Sequence, residues 1–134
     1  MKDSKIYYII DDDADDQQFL IDALTENHPI DKCFTASGGK QGITQLLQGM
    51  VPIPDIIFLD LNMPGMNGRQ CLGQLKTIPT LRQIPVIIYS TSSNSIEISN
   101  MMQLGAEHYL VKAITDKELR KNLEVVLSEM YTTC

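Results

Sequence analysis

Short apolar runs alternate along this chain with stretches of helical period, and no other feature narrows the possible folds as much. Runs of strand length occur at Ile6–Ile10, Asp55–Leu59, Pro85–Tyr89 and Tyr109–Val111, with a weaker one at Lys32–Ala36. Their near-continuous apolar character predicts strands buried on both faces, as in parallel sheets. Between them Phe19, Leu20, Ala23 and Leu24 form one helical stripe, and Ile43, Leu46, Leu47 and Met50 a second. Cys71, Leu72 and Leu75 form a third, Ile98, Met101 and Met102 a fourth, and Leu119, Leu123, Val126, Leu127 and Met130 a fifth. Such stripes are the core faces of helices. Strict βα alternation of five strands with five helices predicts an α/β fold, a three-layer sandwich around a parallel sheet. At 134 residues the alternation fills one domain of residues 1–134, with no repeat, linker or second unit.

The charge is acidic, 17 Asp+Glu against 11 Lys+Arg for a net −6, so nucleic acid and an anionic membrane surface are not expected partners. Much of the excess is one knot: Asp11, Asp12, Asp13, Asp15 and Asp16. Cys33, Cys71 and Cys134 are odd in number and irregularly spaced, which suits reduced thiols better than disulfides or a zinc site. The first apolar run is too short for a signal-peptide core of about 7–15 residues or a membrane span of about 20, so a cytoplasmic location is expected.

In an open parallel sheet, ligands bind beyond the carboxyl ends of the strands. There the first strand delivers Asp11, Asp12 and Asp13, and the third delivers Asp60. The fourth delivers Ser90 and Thr91, and the fifth Lys112. Each residue has a plainer reading alone. An Asp run before a helix caps it, a strand-end Lys is a surface charge, and Ser90 suits a turn. For Asp11 and Asp12 taken alone, cap and ligand are equally good readings, while Asp13, Asp15 and Asp16 read as cap and solvated face. What carries weight is that all fall on one edge. Crowded carboxylates resist ionisation unless compensated. A hard, oxygen-seeking cation, Mg²⁺ above all, is the usual compensator. Carboxylates, Mg²⁺, a Lys and a hydroxyl together make a phosphoryl-transfer kit, with Asp60 as the nucleophile that becomes an aspartyl phosphate.

These residues resemble the response-regulator receiver domains of two-component signal transduction, over essentially the whole chain. The segment Ile56-Ile57-Phe58-Leu59-Asp60-Leu61-Asn62-Met63-Pro64-Gly65-Met66-Asn67-Gly68 resembles the family's phosphorylation block. Ile10-Asp11-Asp12-Asp13, Ser90 and Lys112 stand at matching separations. The resemblance implies a flavodoxin-like, doubly wound sheet of order 2-1-3-4-5. It implies that Asp60 is the phosphoacceptor, fed by a phosphohistidine on a sensor histidine kinase or histidine phosphotransfer protein. Asp12 would bind Mg²⁺ directly, Asp11 mainly through water, and the Asn62 backbone carbonyl would complete the protein ligands. Ser90 and Lys112 would hold phosphoryl oxygens, and Ser90 and Tyr109 would form the switch. The output surface would span residues 94 to 130 and meet a downstream protein target.

Ala113 follows Lys112 where the family usually has a cis proline. A non-proline cis bond costs about 3–4 kcal/mol, so this junction is expected to be trans or strained. The segment Lys76 to Ile84 resembles stand-alone receivers related to phytochrome-associated regulators. The resulting expectation is a chemotaxis-regulator-like phosphoprotein of a phosphorelay, without an output domain. It would not be an enzyme in the turnover sense, catalysing only its own phosphorylation and dephosphorylation. A pseudo-receiver that only binds proteins is the alternative. A haloacid-dehalogenase-type hydrolase would need a general acid where Asn62 stands. A flavodoxin-like cofactor binder would need a phosphate loop where the Asp knot stands.

Overall fold

The computed structural model describes residues 4–26, 28–113 and 115–132; Cys134, read above as a reduced thiol, lies outside them. In chain order the elements are β1 (Ile6–Ile10), α1 (Ala14–Thr25), β2 (Lys32–Ala36), α2 (Gly39–Leu47), β3 (Ile56–Leu59), α3 (Gly68–Thr77), β4 (Val86–Ser90), α4 (Ser95–Leu104), β5 (His108–Val111) and α5 (Asp116–Thr132). The strands pair in parallel in the order β2-β1-β3-β4-β5. Register runs Ile10 beside Leu59, Leu59 beside Ile88 and Ser90 beside Val111, so the carboxyl ends of four strands line up along one edge.

Alternation along each strand divides the core in two. Tyr8, Ile10, Ile57, Leu59, Val86 and Ile88 face α2, α3 and α4, packing on Ile43, Leu46, Cys71, Leu72, Leu75 and Met101. Tyr7, Ile9, Ile56, Phe58, Ile87, Tyr89 and Leu110 face α1 and α5, packing on Leu20, Leu24, Leu119 and Leu123. Every residue of β3 and β4 is buried, as the unbroken apolar runs predict. At about 25 cal/mol per Å² of apolar surface removed from water, these two layers are the main stabilisation of the sheet.

Two of the expected stripes are narrower than their sequences suggest. Leu47 and Met50 are 54% and 65% exposed rather than core. α2 stops at Leu47, and Gly49 turns the chain with φ 70°, so the helical spacing that would carry Met50 inward is not continued. Met102 is 41% exposed because its neighbour Met101 takes the inward position, and adjacent helical residues point about 100° apart. After α3, Leu81 and Ile84 turn back into the core, and Lys76 Nζ donates to the carbonyls of Arg82 and Ile84 at 3.2 and 3.1 Å. That folded return accounts for the length of the Lys76 to Ile84 connection.

Candidate phosphoryl-transfer site

The site is built on the carboxyl edge of the sheet. Asp11 continues from β1, its N–H donating to Ala36 O at 3.0 Å, and its side chain turns inward to be 1% exposed. Asp11 Oδ1 accepts from Asp13 N at 3.0 Å, and Asp13 in turn caps α1 by accepting from Asp15 N and Asp16 N. Capping is therefore the work of Asp13, as expected, and Asp12 is left exposed beside it. Gln17 Nε2 ties the turn down by donating to Asp11 O at 2.6 Å and Ala36 O at 3.1 Å.

Asp60 follows β3, with its N–H on Ile10 O at 2.9 Å, and is 5% exposed. Asn62 N lies 3.4 Å from Asp60 Oδ1, and the loop is closed by Gly68 N donating to Leu61 O at 2.9 Å. Asp11, Asp12 and Asp60 each offer a carboxylate oxygen, all within 4.8 Å of one another. Three hard oxygen donors from two strand ends fit a divalent cation of the magnesium or manganese kind. The exposed Asn62 stands beside them, lining the same cleft.

Lys112 leaves β5 with its N–H on Ser90 O at 2.7 Å, and the Lys112–Ala113 peptide is trans, one of the two outcomes expected for a non-proline junction. Its Nζ lies 2.8 Å from Asp16 Oδ2, 3.0 Å from Asp11 Oδ2 and 3.7 Å from Asp60 Oδ1, and 5.2 Å from the centre of the Tyr89 ring. Asp16 is thus not merely solvated helix surface. It reaches into the site, which overturns its reading from sequence. Its position one helical turn after Asp12 was the only local signal, and the partner that gives it meaning is 96 residues away.

Burial sets the electrostatics. The Asp60 carboxyl is pushed up to about 6, first by desolvation and then by Asp11, against the lowering pull of Lys112. Asp11 is likewise raised, chiefly by burial, with Asp13 N–H and Lys112 opposing. Burial acts to lower Lys112, but the hydrogen bonds it donates to Asp16 and Asp11 outweigh it and hold the ammonium firmly charged.

Ser90 is wholly buried at the end of β4, and its Oγ accepts from Ser92 N at 3.2 Å. Tyr109 is half-buried, its hydroxyl donating to Ser92 O at 2.8 Å and lying 3.4 Å from Glu97 Oε1. The β4–α4 loop is therefore gripped from both sides, by Ser90 and by Tyr109. Above the site is a cleft of about 480 Å³ whose walls include Asp12, Asp16, Asp60, Asn62, Thr91 and Lys112. A larger hollow of about 550 Å³ lies between α1 and α5, away from all these groups.

The sequence pattern of the response regulator receiver domain matches residues 8–124. The chain belongs to that family. PilH of Pseudomonas aeruginosa is 30% identical over 120 residues, covering 90% of this chain and 96% of PilH. Among solved structures, the phosphorylated cyanobacterial phytochrome response regulator RcpA superposes with a TM-score of 0.86 at 27% identity, covering 98% of this chain and 97% of that one. The Mn²⁺-bound form of the response regulator Rcp1, a protein of Synechocystis, superposes with a TM-score of 0.82 at 27% identity over 97% and 96% of the two chains. In sequence the match spans only about half the length of the first curated relatives, 45% of NarL of Escherichia coli and 52% of Rcp1. Receiver domains are signalling modules of two-component phosphorelays that bind a divalent cation at an acidic cluster, and this chain gathers such a cluster in Asp11, Asp12 and Asp60. No helix among the described residues is long and apolar enough to cross a membrane.

Proposed function

We propose that Asp60 accepts a phosphoryl group from a phosphohistidine on a sensor histidine kinase or a histidine phosphotransfer protein. The observation that carries this reading is the meeting of Asp11, Asp12 and Asp60 within 4.8 Å, with the Lys112 ammonium 3.7 Å from Asp60. With its carboxyl at about 6, Asp60 is mostly ionised at pH 7 and attacks phosphorus without a general base. A carboxylate oxygen–phosphorus bond forms as the nitrogen–phosphorus bond breaks, and the imidazole nitrogen keeps the electron pair. Asp11, Asp12, Asp60 and the Asn62 carbonyl would hold Mg²⁺, which would supply positive charge for the phosphoryl oxygens. Lys112 places a second positive charge at the same oxygens, and Ser90, whose Oγ accepts from Ser92 N, still has its O–H proton to donate.

Phosphorylation adds about −1.5 to −2 charge at Asp60 and biases a two-state equilibrium. Ser90 and Tyr109 are the switch, since both hold the β4–α4 loop, and α4, β5 and α5 form the surface read by a downstream protein. The chain catalyses only its own phosphorylation and slower dephosphorylation. It works in the cytoplasm as one receiver domain over residues 1–134. That the relative RcpA has been crystallised phosphorylated supports this chemistry.

The test is intact-mass measurement after incubation with Mg²⁺ and a small phosphodonor. One phosphoryl adduct is expected on the wild type and none on Asp60→Asn. Absence of the adduct from wild type, or its persistence in the variant, overturns the assignment.

A further inference from the structure

We propose that Asp16 is a positioning residue for Lys112, one that shares the ammonium with Asp11 and so loosens its hold on the cation-binding carboxylates while keeping it in reach of Asp60. This rests on the cation and phosphoryl site proposed above.

The Lys112 ammonium has three anionic neighbours, and they are not equivalent. Asp11 Oδ2 at 3.0 Å and Asp60 Oδ1 at 3.7 Å belong to carboxylates of the acidic trio. Asp16 Oδ2, at 2.8 Å, does not. Asp16 stands in the first turn of α1, and its backbone N–H is held by Asp13 Oδ1 at 3.2 Å, so its side chain starts from a fixed point. Lys112 also starts from a fixed point, with its N–H on Ser90 O. Asp16 and Lys112 therefore bridge α1 to the end of β5 across the cleft.

Consider the site with Asp16 uncharged. Among the described residues, the carboxylates then left within 4.0 Å of the Lys112 ammonium are Asp11 and Asp60, two of the three that a divalent cation would use. Ammonium and cation then compete for shared ligands and repel each other. With Asp16 present, the ammonium has a partner the cation does not need.

The experiment is a Mg²⁺ titration by calorimetry in 0.15 M KCl, where exposed charges farther apart than about 8 Å are largely screened. Asp16→Asn is expected to weaken Mg²⁺ binding about tenfold, a size typical of coupled groups in contact. Asp16→Glu is expected to recover part of the loss. In a Lys112→Met background Asp16→Asn is expected to change the affinity less than about twofold, because the competitor is gone; Lys112→Gln takes that place if the Met variant does not fold. An unchanged affinity in Asp16→Asn overturns the proposal, and so does an equal loss with and without Lys112, which would make Asp16 a bare charge. Wild-type protein that binds no Mg²⁺ overturns both this proposal and the cation site. Wild-type protein that binds Mg²⁺ and takes a phosphoryl group, alongside an indifferent Asp16→Asn, overturns this proposal alone.

Discussion

Gly68 lies with its Cα against the main-chain carbonyl of Asp60. A β-carbon there would collide with that oxygen and sit 2.6 Å from Leu61 Cα. The start of α3 thus presses on the backbone that aims the Asp60 side chain, and Gly68 N–H closes the loop onto Leu61 O at 2.9 Å.

Gly68→Ala is therefore expected to damage the site as well as the fold. The clash is with backbone, which cannot rotate away as a side chain can, so the 60–68 loop must shift. A destabilisation of about 1–3 kcal/mol is expected, as for overpacked interiors. Chemical denaturation measures that loss, and Mg²⁺ titration of the folded fraction is expected to show weakened binding. A variant with unchanged stability and unchanged Mg²⁺ affinity would show that the loop accommodates a methyl group, contrary to this packing.

The raised Asp60 carboxyl makes stability depend on pH in a definite direction. In the folded chain it titrates at about 6 rather than at its ordinary 3.8, so between those values the folded state holds a proton that the unfolded state has released. The stabilising contribution of Asp60 is fully present below about pH 4 and is lost as pH rises through 6. Asp60→Asn removes the cost of the buried charge. In EDTA the variant is expected to be more stable than wild type by on the order of 1–3 kcal/mol at pH 8, with the gain fading toward pH 4. Denaturant melts at both pH values check this, and an equal gain at pH 4 would exclude ionisation as its cause.

Much of the architecture can be read in the residues because strands buried on both faces leave unbroken apolar runs such as Ile56–Leu59 and Val86–Ser90. Asp11, Asp60, Ser90 and Lys112 are legible for a related reason, since each directly follows or ends such a run and the edge of a parallel sheet gathers strand ends. What escapes local reading depends on events elsewhere in the chain. Asp16 acquires its role only when α1 brings it to Lys112, 96 residues on. Met50 misses the core because the backbone turns at Gly49, which an apolar count along the helix does not register. Gln17 looks like any polar residue on the helix surface, although its amide ties Asp11 O to Ala36 O.

Cys71 is expected to be inert in the folded protein. It is wholly buried against α2, and burial pushes its thiol up to about 12, so almost no thiolate exists at pH 8. Its alkylation by iodoacetamide should require opening of the core and should speed up with sub-denaturing urea. Cys33, half-buried and raised to about 11 by burial and by Asp31, should also react slowly. Peptide-level mass spectrometry resolves the two sites. Labelling of Cys71 at the rate of a free thiol, independent of urea, would mean that this layer of the core is open.

Tyr109 tests how firmly the β4–α4 loop is held before any phosphoryl group arrives. Its hydroxyl is the donor to Ser92 O at 2.8 Å, and Ser92 N is in turn the donor to Ser90 Oγ, so one residue of the loop is anchored at both of its backbone polar groups. Tyr109→Phe keeps the ring in place and removes only the hydroxyl. The expected cost is about 0.5–1.5 kcal/mol, the net value of one hydrogen bond, because a half-buried carbonyl can recover water in its place. The effect should also be local. Amide hydrogen exchange is expected to quicken at Ser92 and through the first turn of α4, while Ile57 and Phe58 in the central strand keep their protection. Uniformly faster exchange across the sheet would mean that the tyrosine hydroxyl supports the fold as a whole, and Tyr109 would then be a poor switch, since moving it would loosen the domain instead of redirecting one loop.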